Sequence, residues 1–147
     1  MKKWSMALVL LFCGMCLFAQ SLFDVVTTGT PEQVQAAIKA GARIDDRDNW
    51  FSDTPLMWAA FLNENPDVIM ALLNAGAKLD DRDRVGRTPL MWAAFLNKNP
   101  DVIATLLNAG ADGTIKSSEG KTAFDYAQQN QKLEGTKAYW DLNNARF

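Results

Sequence analysis

The sequence contains no histidine, and both of its cysteines, Cys13 and Cys16, lie within the first twenty residues. Histidine is the commonest general acid or base at neutral pH, and cysteine supplies thiol nucleophiles and many zinc ligands. No glycine-rich phosphate-binding loop is present either. We therefore predict no enzyme activity, no small-molecule substrate and no cofactor.

An excess of charge of one sign is also lacking. Lysine and arginine total 15 and aspartate and glutamate 17, for a formal net charge of −2, and no basic run occurs. Nucleic acid is therefore not expected as a partner, because phosphate contacts need clustered cations. Charged stretches such as 80–84 mix both signs, which is typical of solvated turns. Asp80, Asp81 and Asp83 lack the spacing of a calcium loop, so no metal site is predicted.

The longest uncharged apolar stretch, residues 6–18, follows Lys2 and Lys3 and is followed by the small Ala19. This arrangement predicts a signal peptide over residues 1–19 and an exported mature domain over 20–147, either periplasmic or secreted. Membrane contact is expected only if the segment is retained as an anchor, since a spanning helix needs about 20 residues. After cleavage no cysteine remains, so packing and not disulfides must stabilise the mature chain.

An internal repeat organises the rest of the sequence. The heptad of residues 54–60, Thr-Pro-Leu-Met-Trp-Ala-Ala, recurs 34 residues later. Segments 54–77 and 88–111 differ at only three of 24 positions, and the period continues at Thr122. Such short units cannot bury their own apolar faces, so they are expected to stack side by side.

Each unit is predicted to contain two helices. Thr54 is a good N-cap and Pro55 fits the first helical position. Asn65 and Pro66 begin the second helix in the same way, and Gly76 ends it through a left-handed turn. The next unit repeats the signals at Thr88, Asn99 and Gly110.

The Thr-Pro-Leu start, the double alanine and the Leu-Leu-x-x-Gly-Ala ending resemble the ankyrin-repeat family. That resemblance implies an all-α solenoid of stacked helix-turn-helix units, about four including end caps. The approximate units are 21–48, 49–83, 84–117 and 118–147. Tetratricopeptide arrays share the period but lack these motifs. The family usually has histidine where this chain has Met57 and Met91, so its hydrogen bonds must be absent or replaced.

The resemblance also implies binding of another protein through the turn tips and the inner side of the first helices. Carried onto this chain, the predicted partner-binding residues are Asn49, Trp50, Phe51, Asp53, Phe61, Arg84, Val85, Arg87, Phe95, Glu119 and Lys121.

The facing of several apolar side chains is less clearly determined by the pattern. Trp50 lies in a polar turn and is expected to be exposed. Phe61 and Phe95 could serve either the interface or the core, whereas Leu62 and Leu96 are expected to turn inward. Two further expectations concern tryptophan and tyrosine. Trp58 and Trp92 are expected in the core, and Tyr139 with Trp140 is expected to cover the end of the stack.

These observations favour a non-catalytic scaffold that binds one protein partner outside the cytoplasm. Three alternatives remain: a dedicated inhibitor or protective subunit of an exported enzyme, self-association through the aromatic residues, and a cell-envelope hydrolase acting through Asp81 or Asp83.

Overall fold

The computed structural model describes residues 21–147, so the predicted signal peptide lies outside the described residues. This part of the chain forms eight α-helices and contains no strand. In chain order they are α1 (Leu22–Thr28), α2 (Pro31–Lys39), α3 (Pro55–Leu62), α4 (Pro66–Asn74), α5 (Pro89–Leu96), α6 (Pro100–Asn108), α7 (Ala123–Ala127) and α8 (Lys137–Ala145). Within residues 21–147, every helix is too short or too polar to cross a bilayer.

The predicted helix boundaries are confirmed by the capping contacts. The Thr54 hydroxyl accepts a hydrogen bond from the Met57 amide at 3.3 Å, which satisfies a donor that the helix leaves unpaired. Asn65 caps α4 in the same way through the Asp67 amide, at 2.9 Å. At the other end, Gly76 has a φ of +99°, a conformation that favours glycine.

Equivalent helices of successive units pack against each other, as the repeat predicts. The first helices α1, α3, α5 and α7 form one row, and the second helices α2, α4, α6 and α8 form the other. Leu56, Ile69, Leu90 and Ile103 are fully buried between these rows. Burying each such side chain contributes about 1.5–3 kcal/mol, so the stack supplies a core that no single unit could form.

Buried asparagines at the ends of the first helices connect each unit to the one before it. Each side-chain amide donates to two backbone carbonyls of the preceding unit at 2.8–3.2 Å. The pairs are Asn63 with Val26 and Gly29, Asn97 with Ala60 and Asn63, and Asn130 with Ala94 and Asn97. Within α3, the Met57 sulfur accepts from the Thr54 amide at 3.4 Å. Met57, at the position where the family usually has histidine, thus makes a capping contact of its own.

The expectation that Leu62 and Leu96 turn inward is wrong, since they are 46% and 50% exposed. Successive helical residues are rotated by about 100° around the axis. Leu56, Ala59 and Ala60 occupy the arc of α3 that faces the core. Leu62 therefore lies on the opposite arc, close in angle to Trp58.

The C-terminal end of the stack is covered by Tyr139 but not by Trp140. The Tyr139 ring is half-buried and lies 5.0 Å from the Phe124 ring, between centroids. The Trp140 ring lies 5.4 Å from the Tyr139 ring, between centroids, and is 57% exposed. Because neighbouring helical positions point in different directions, α8 can direct only one of the two rings onto the stack.

Candidate functional site

Five aromatic rings on successive first helices form a continuous row, which we call the aromatic row. Consecutive ring centroids are 6.4, 4.9, 6.4 and 6.0 Å apart, with the rings edge to face. These separations are the ones that aromatic pairs prefer. The members are Trp58, Phe61, Trp92, Phe95 and Tyr126.

The row arises because Trp58 and Phe61 are three residues apart and so share one face of α3. Trp92 and Phe95 repeat that spacing on α5, and the stack brings Phe61 against Trp92. The prediction that both tryptophans lie in the core is confirmed for Trp92, which is 9% exposed, and in part for Trp58, which is partly buried and packs against the core. Phe61 and Phe95 are half-buried, so they contribute to the row and to the surface at once.

The first inter-unit turn is held by Asp48, a residue that the sequence analysis missed. One carboxylate oxygen accepts from the amides of Trp50, Phe51 and Ser52 at 2.9–3.0 Å. The other accepts from Trp58 Nε1 at 2.8 Å. Burial opposes the charged form most strongly, yet these hydrogen bonds together lower the pKa of Asp48. Asp83 occupies the matching position at the start of the next turn. This recurrence in the sequence could have identified Asp48 as a residue that holds its turn.

Asp48 thereby presents the tip of the turn to solvent. Asn49 is exposed, Trp50 is 78% exposed and Phe51 is 49% exposed. The expected exposure of Trp50 is confirmed; binding of a partner by these three residues stays a prediction.

In the second turn, the aspartate accepts a hydrogen bond from Arg87, whereas in the first turn it accepts one from Trp58. Asp83 accepts from the amides of Val85 and Arg87 through one oxygen, at 2.9 and 2.8 Å. Its other oxygen accepts from Arg87 Nε at 2.8 Å. The Arg87 guanidinium also lies 3.9 Å from the centroid of the Trp92 ring, a cation–π contact. Arg87 is therefore fixed by a carboxylate on one side and an indole on the other.

Asp53 does not lie on the tip where the sequence placed it. It is only 4% exposed, and its Oδ1 accepts from Trp92 Nε1 at 3.2 Å. Burial raises the pKa of Asp53 to about 6, and the charges of Asp83 and Asp48 add to that effect. The interpretation of the turn carboxylates as solvated is therefore wrong for Asp53. The same interpretation is wrong for Asp83, whose side chain is 0% exposed.

These contacts enclose a cleft of about 390 Å³ at the corner between the first turn and the first helices. Five aromatic rings, one methionine and one carboxylate line it: Trp50, Phe51, Trp58, Phe61, Trp92, Met57 and Asp53. The cleft brings together four of the predicted partner-binding residues. A perturbed carboxyl group in an aromatic cleft is typical of functional sites.

Comparison with known proteins agrees with this architecture. Residues 22–117 match the family model for ankyrin repeats, in three copies. The chain belongs to the ankyrin-repeat family. Ankyrin repeats are protein–protein interaction modules, and the match identifies this chain as a module of that kind. No curated protein matches the sequence. The last ankyrin unit lies beyond the match, and its helices α7 and α8 continue the stack on α5 and α6.

Backbone and arginine hydrogen bonds join the tips of neighbouring ankyrin turns. The Arg84 amide donates to the Phe51 carbonyl at 2.7 Å, and its Nη1 donates to the Trp50 carbonyl at 3.1 Å. The Ser118 amide donates to the Val85 carbonyl at 2.9 Å. Arg84 and Val85 thus lie beside the cleft and connect the tips, but they do not line it.

The remaining predicted residues lie at the far end of the aromatic row, two of them in the third turn and Phe95 on α5. Lys121 and Glu119 form an ion pair at 2.7 Å, and the Lys121 ammonium lies 5.6 Å from the Tyr126 ring centroid. Phe95 packs on Tyr126 at the same end. Glu119, Lys121 and Phe95 therefore extend the site beyond the cleft without entering it.

The carboxylates considered for hydrolysis or for a calcium site each form contacts within or between the turns of this ankyrin array. Asp81 pairs with Arg47 across two turns at 2.6 Å. Asp83 uses both oxygens within its own turn. Asp80 accepts from the Asp112 amide at 3.0 Å. Each of the three is thus directed at a different partner.

Proposed function

We propose that this protein is an exported adaptor that captures one protein partner on the face carrying the aromatic row and the cleft. The observation that supports it most strongly is the concentration of exposed apolar side chains there. Trp50, Phe51, Leu62 and Leu96 are all between 46% and 78% exposed. Contiguous exposed apolar surface usually marks an interaction site, and buried aromatic anchors dominate the binding energy of interfaces.

The N-terminal sequence supports action outside the cytoplasm. A positively charged start, an uncharged apolar stretch and a terminal alanine match a secretory signal, and no cysteine follows Cys16. Fractionation of expressing cells and N-terminal sequencing of the product test this part of the proposal. A chain found in the cytoplasm with residue 1 intact would contradict export.

The interaction face is tested by capturing the partner with the variant Trp50→Ala/Phe61→Ala. Truncating two anchors in one interface is expected to weaken binding more than about 100-fold, because each such anchor is worth about 2 kcal/mol or more. Far-ultraviolet circular dichroism should show unchanged helicity, since neither side chain is fully buried. Partner capture is measured by pull-down from native extract and quantified on the identified complex.

Met70→Ala is the matched control, because Met70 is 40% exposed but lies on α4, in the second row of helices. It should capture the partner as well as wild type. Capture that is equal for all three proteins would remove the proposed face. An activity assay on the captured partner then separates an adaptor from an inhibitor or protective subunit. The mass of the isolated protein in solution tests self-association.

A further inference from the structure

The Asp53 carboxylate has one oxygen available at the base of the cleft. Trp92 occupies Oδ1, and residues 21–147 provide no hydrogen-bond donor to Oδ2. Oδ2 is accessible from the cleft. Among the described residues, it is not one of the side-chain atoms that are both buried and without a hydrogen-bond partner. Asp53 is nevertheless 96% buried as a residue, being 4% exposed. An acceptor of this kind can be satisfied only by something that enters the cleft.

The three carboxylates around the cleft differ in their partners, while Arg47 and Arg84 at its edge donate to the backbone carbonyls of Ser52 and Trp50. Asp48 is surrounded by three amides and an indole N–H, and Asp83 is paired with Arg87. Asp53 is the third carboxylate of the group, and the cation nearest to it is committed to Asp83. A group entering the cleft is therefore favoured if it carries a positive charge and donates hydrogen bonds.

The walls of the cleft restrict the kind of cation. Aromatic faces attract cations, and a guanidinium is planar, stacks on indoles and is less strongly hydrated than an ammonium. The protein already shows this chemistry, because Arg87 stacks on Trp92 while donating to Asp83. A bare divalent ion fits poorly, since the described residues contain no group of three potential metal ligands.

Building on the proposed function, we propose that the cleft receives an arginine side chain of the partner protein. Its guanidinium would donate to Oδ2 of Asp53 and lie against the rings of Trp50, Trp58 and Phe61. The partner is thus expected to present an exposed arginine on a segment that reaches the first turn. Arginine is also among the residues that most often dominate the energy of interfaces.

N-acetyl-L-arginine amide is the probe that tests this, with N-acetyl-L-citrulline amide as its uncharged isostere. Titration of the ¹⁵N-labelled protein should give saturable shifts of the Trp58 and Trp92 indole N–H signals with the arginine compound. The citrulline compound and N-acetyl-L-lysine amide should each bind at least about 10-fold more weakly. Shifts that do not saturate, or equal binding of arginine and citrulline compounds, would overturn the proposal. Equal binding of the lysine compound would overturn the choice of arginine.

Asp53→Asn provides the second arm, because asparagine keeps an oxygen to accept from Trp92 but removes the charge. It is expected to weaken the arginine compound at least about 10-fold. Asp67→Asn, which alters an exposed acid on α4, should leave binding unchanged. Equal binding by the two variants would contradict the proposal.

The two proposals fail in different ways. If Trp50→Ala/Phe61→Ala loses the partner while Asp53→Asn keeps both the partner and the arginine compound, the interaction face stands and the arginine inference falls. If the arginine compound binds through Asp53 but the double variant still captures the partner, the cleft recognises arginine and the proposed interaction face is wrong.

Discussion

The helices α3 and α5 have the same eight residues, Pro-Leu-Met-Trp-Ala-Ala-Phe-Leu, yet their tryptophans have different surroundings. Trp58 is only partly buried, and its indole N–H donates to Asp48 in the turn of its own unit. Trp92 is 9% exposed, and its indole N–H donates to Asp53, 39 residues earlier in the chain.

The difference originates at the residue immediately before the capping threonine, which is Asp53 in one unit and Arg87 in the next. Arg87 donates a hydrogen bond to the carboxylate of Asp83, which corresponds in position to Asp48. The Trp92 N–H therefore bonds to Asp53 of the preceding turn instead. Identical helices thus provide a common scaffold, and single turn residues determine the chemistry of each unit.

Breaking the shared scaffold should have the largest effect. Asn97→Ala removes two buried hydrogen bonds to the Ala60 and Asn63 carbonyls and leaves both acceptors unpaired. We expect unfolding free energy to fall by about 2–4 kcal/mol, measured by urea denaturation. Asn65→Ala, which removes the side-chain cap of α4, should cost only about 1 kcal/mol. Equal effects of the two substitutions would show that the asparagine contacts do not hold the units together.

Arg87→Met removes the side chain that distinguishes the second turn. The Asp83 side chain is 0% exposed, so it would lose its only side-chain partner among the described residues, and the Trp92 ring would lose its cation–π contact. The expected loss of unfolding free energy is about 2–3 kcal/mol, together with altered tryptophan fluorescence. The exposed Arg84→Met should change stability by less than about 1 kcal/mol. An unaltered fluorescence spectrum for Arg87→Met would contradict the assignment.

Asp53→Asn tests the other side of the comparison through pH. The pKa of Asp53 is raised from 3.8 to about 6 in the folded protein, so the folded state holds a proton that the unfolded state releases. Wild-type stability should therefore fall relative to the variant as pH rises through this window. Between about pH 4 and pH 7 the stability of wild type should fall by about 2–3 kcal/mol relative to that of the variant. Denaturation series at several pH values measure this, and a difference that does not depend on pH would count against it.

The smallest expected effect concerns the conformation of the turns. Ser52 has a φ of +61°, where the other two turns have Gly86 at +76° and Gly120 at +75°. Ser52→Gly should stabilise the protein by about 0.5–1 kcal/mol, because glycine adopts this conformation without strain. Thermal denaturation measures the shift. Gly86→Ser should do the opposite, since a Cβ there would lie 2.8 Å from the Arg82 guanidinium.

Local chemistry made the helices predictable from the sequence, and long-range contacts made the site harder to predict. Thr54, Asn65 and Gly76 act on amides and carbonyls a few residues away, so their roles were correctly assigned. The facing of Leu62 depends on which arc of α3 meets the neighbouring helices. The burial of Asp53 depends on Trp92, in the following unit. The burial of Asp53 therefore cannot be derived from a pattern within one unit, whereas the facing of Leu62 follows once the core arc of α3 is known.

The hydrogen bonds that join Arg84 to Trp50 and Phe51, and Ser118 to Val85, mean that no tip can bend alone. A binding protein would contact turn tips whose conformation is already fixed before binding. Loop ordering would then contribute little to the entropic penalty of association, which otherwise reaches about 0.5–1.5 kcal/mol for each side chain that is immobilised. Rigidity of this origin would let a small, disulfide-free array bind tightly with few anchoring side chains.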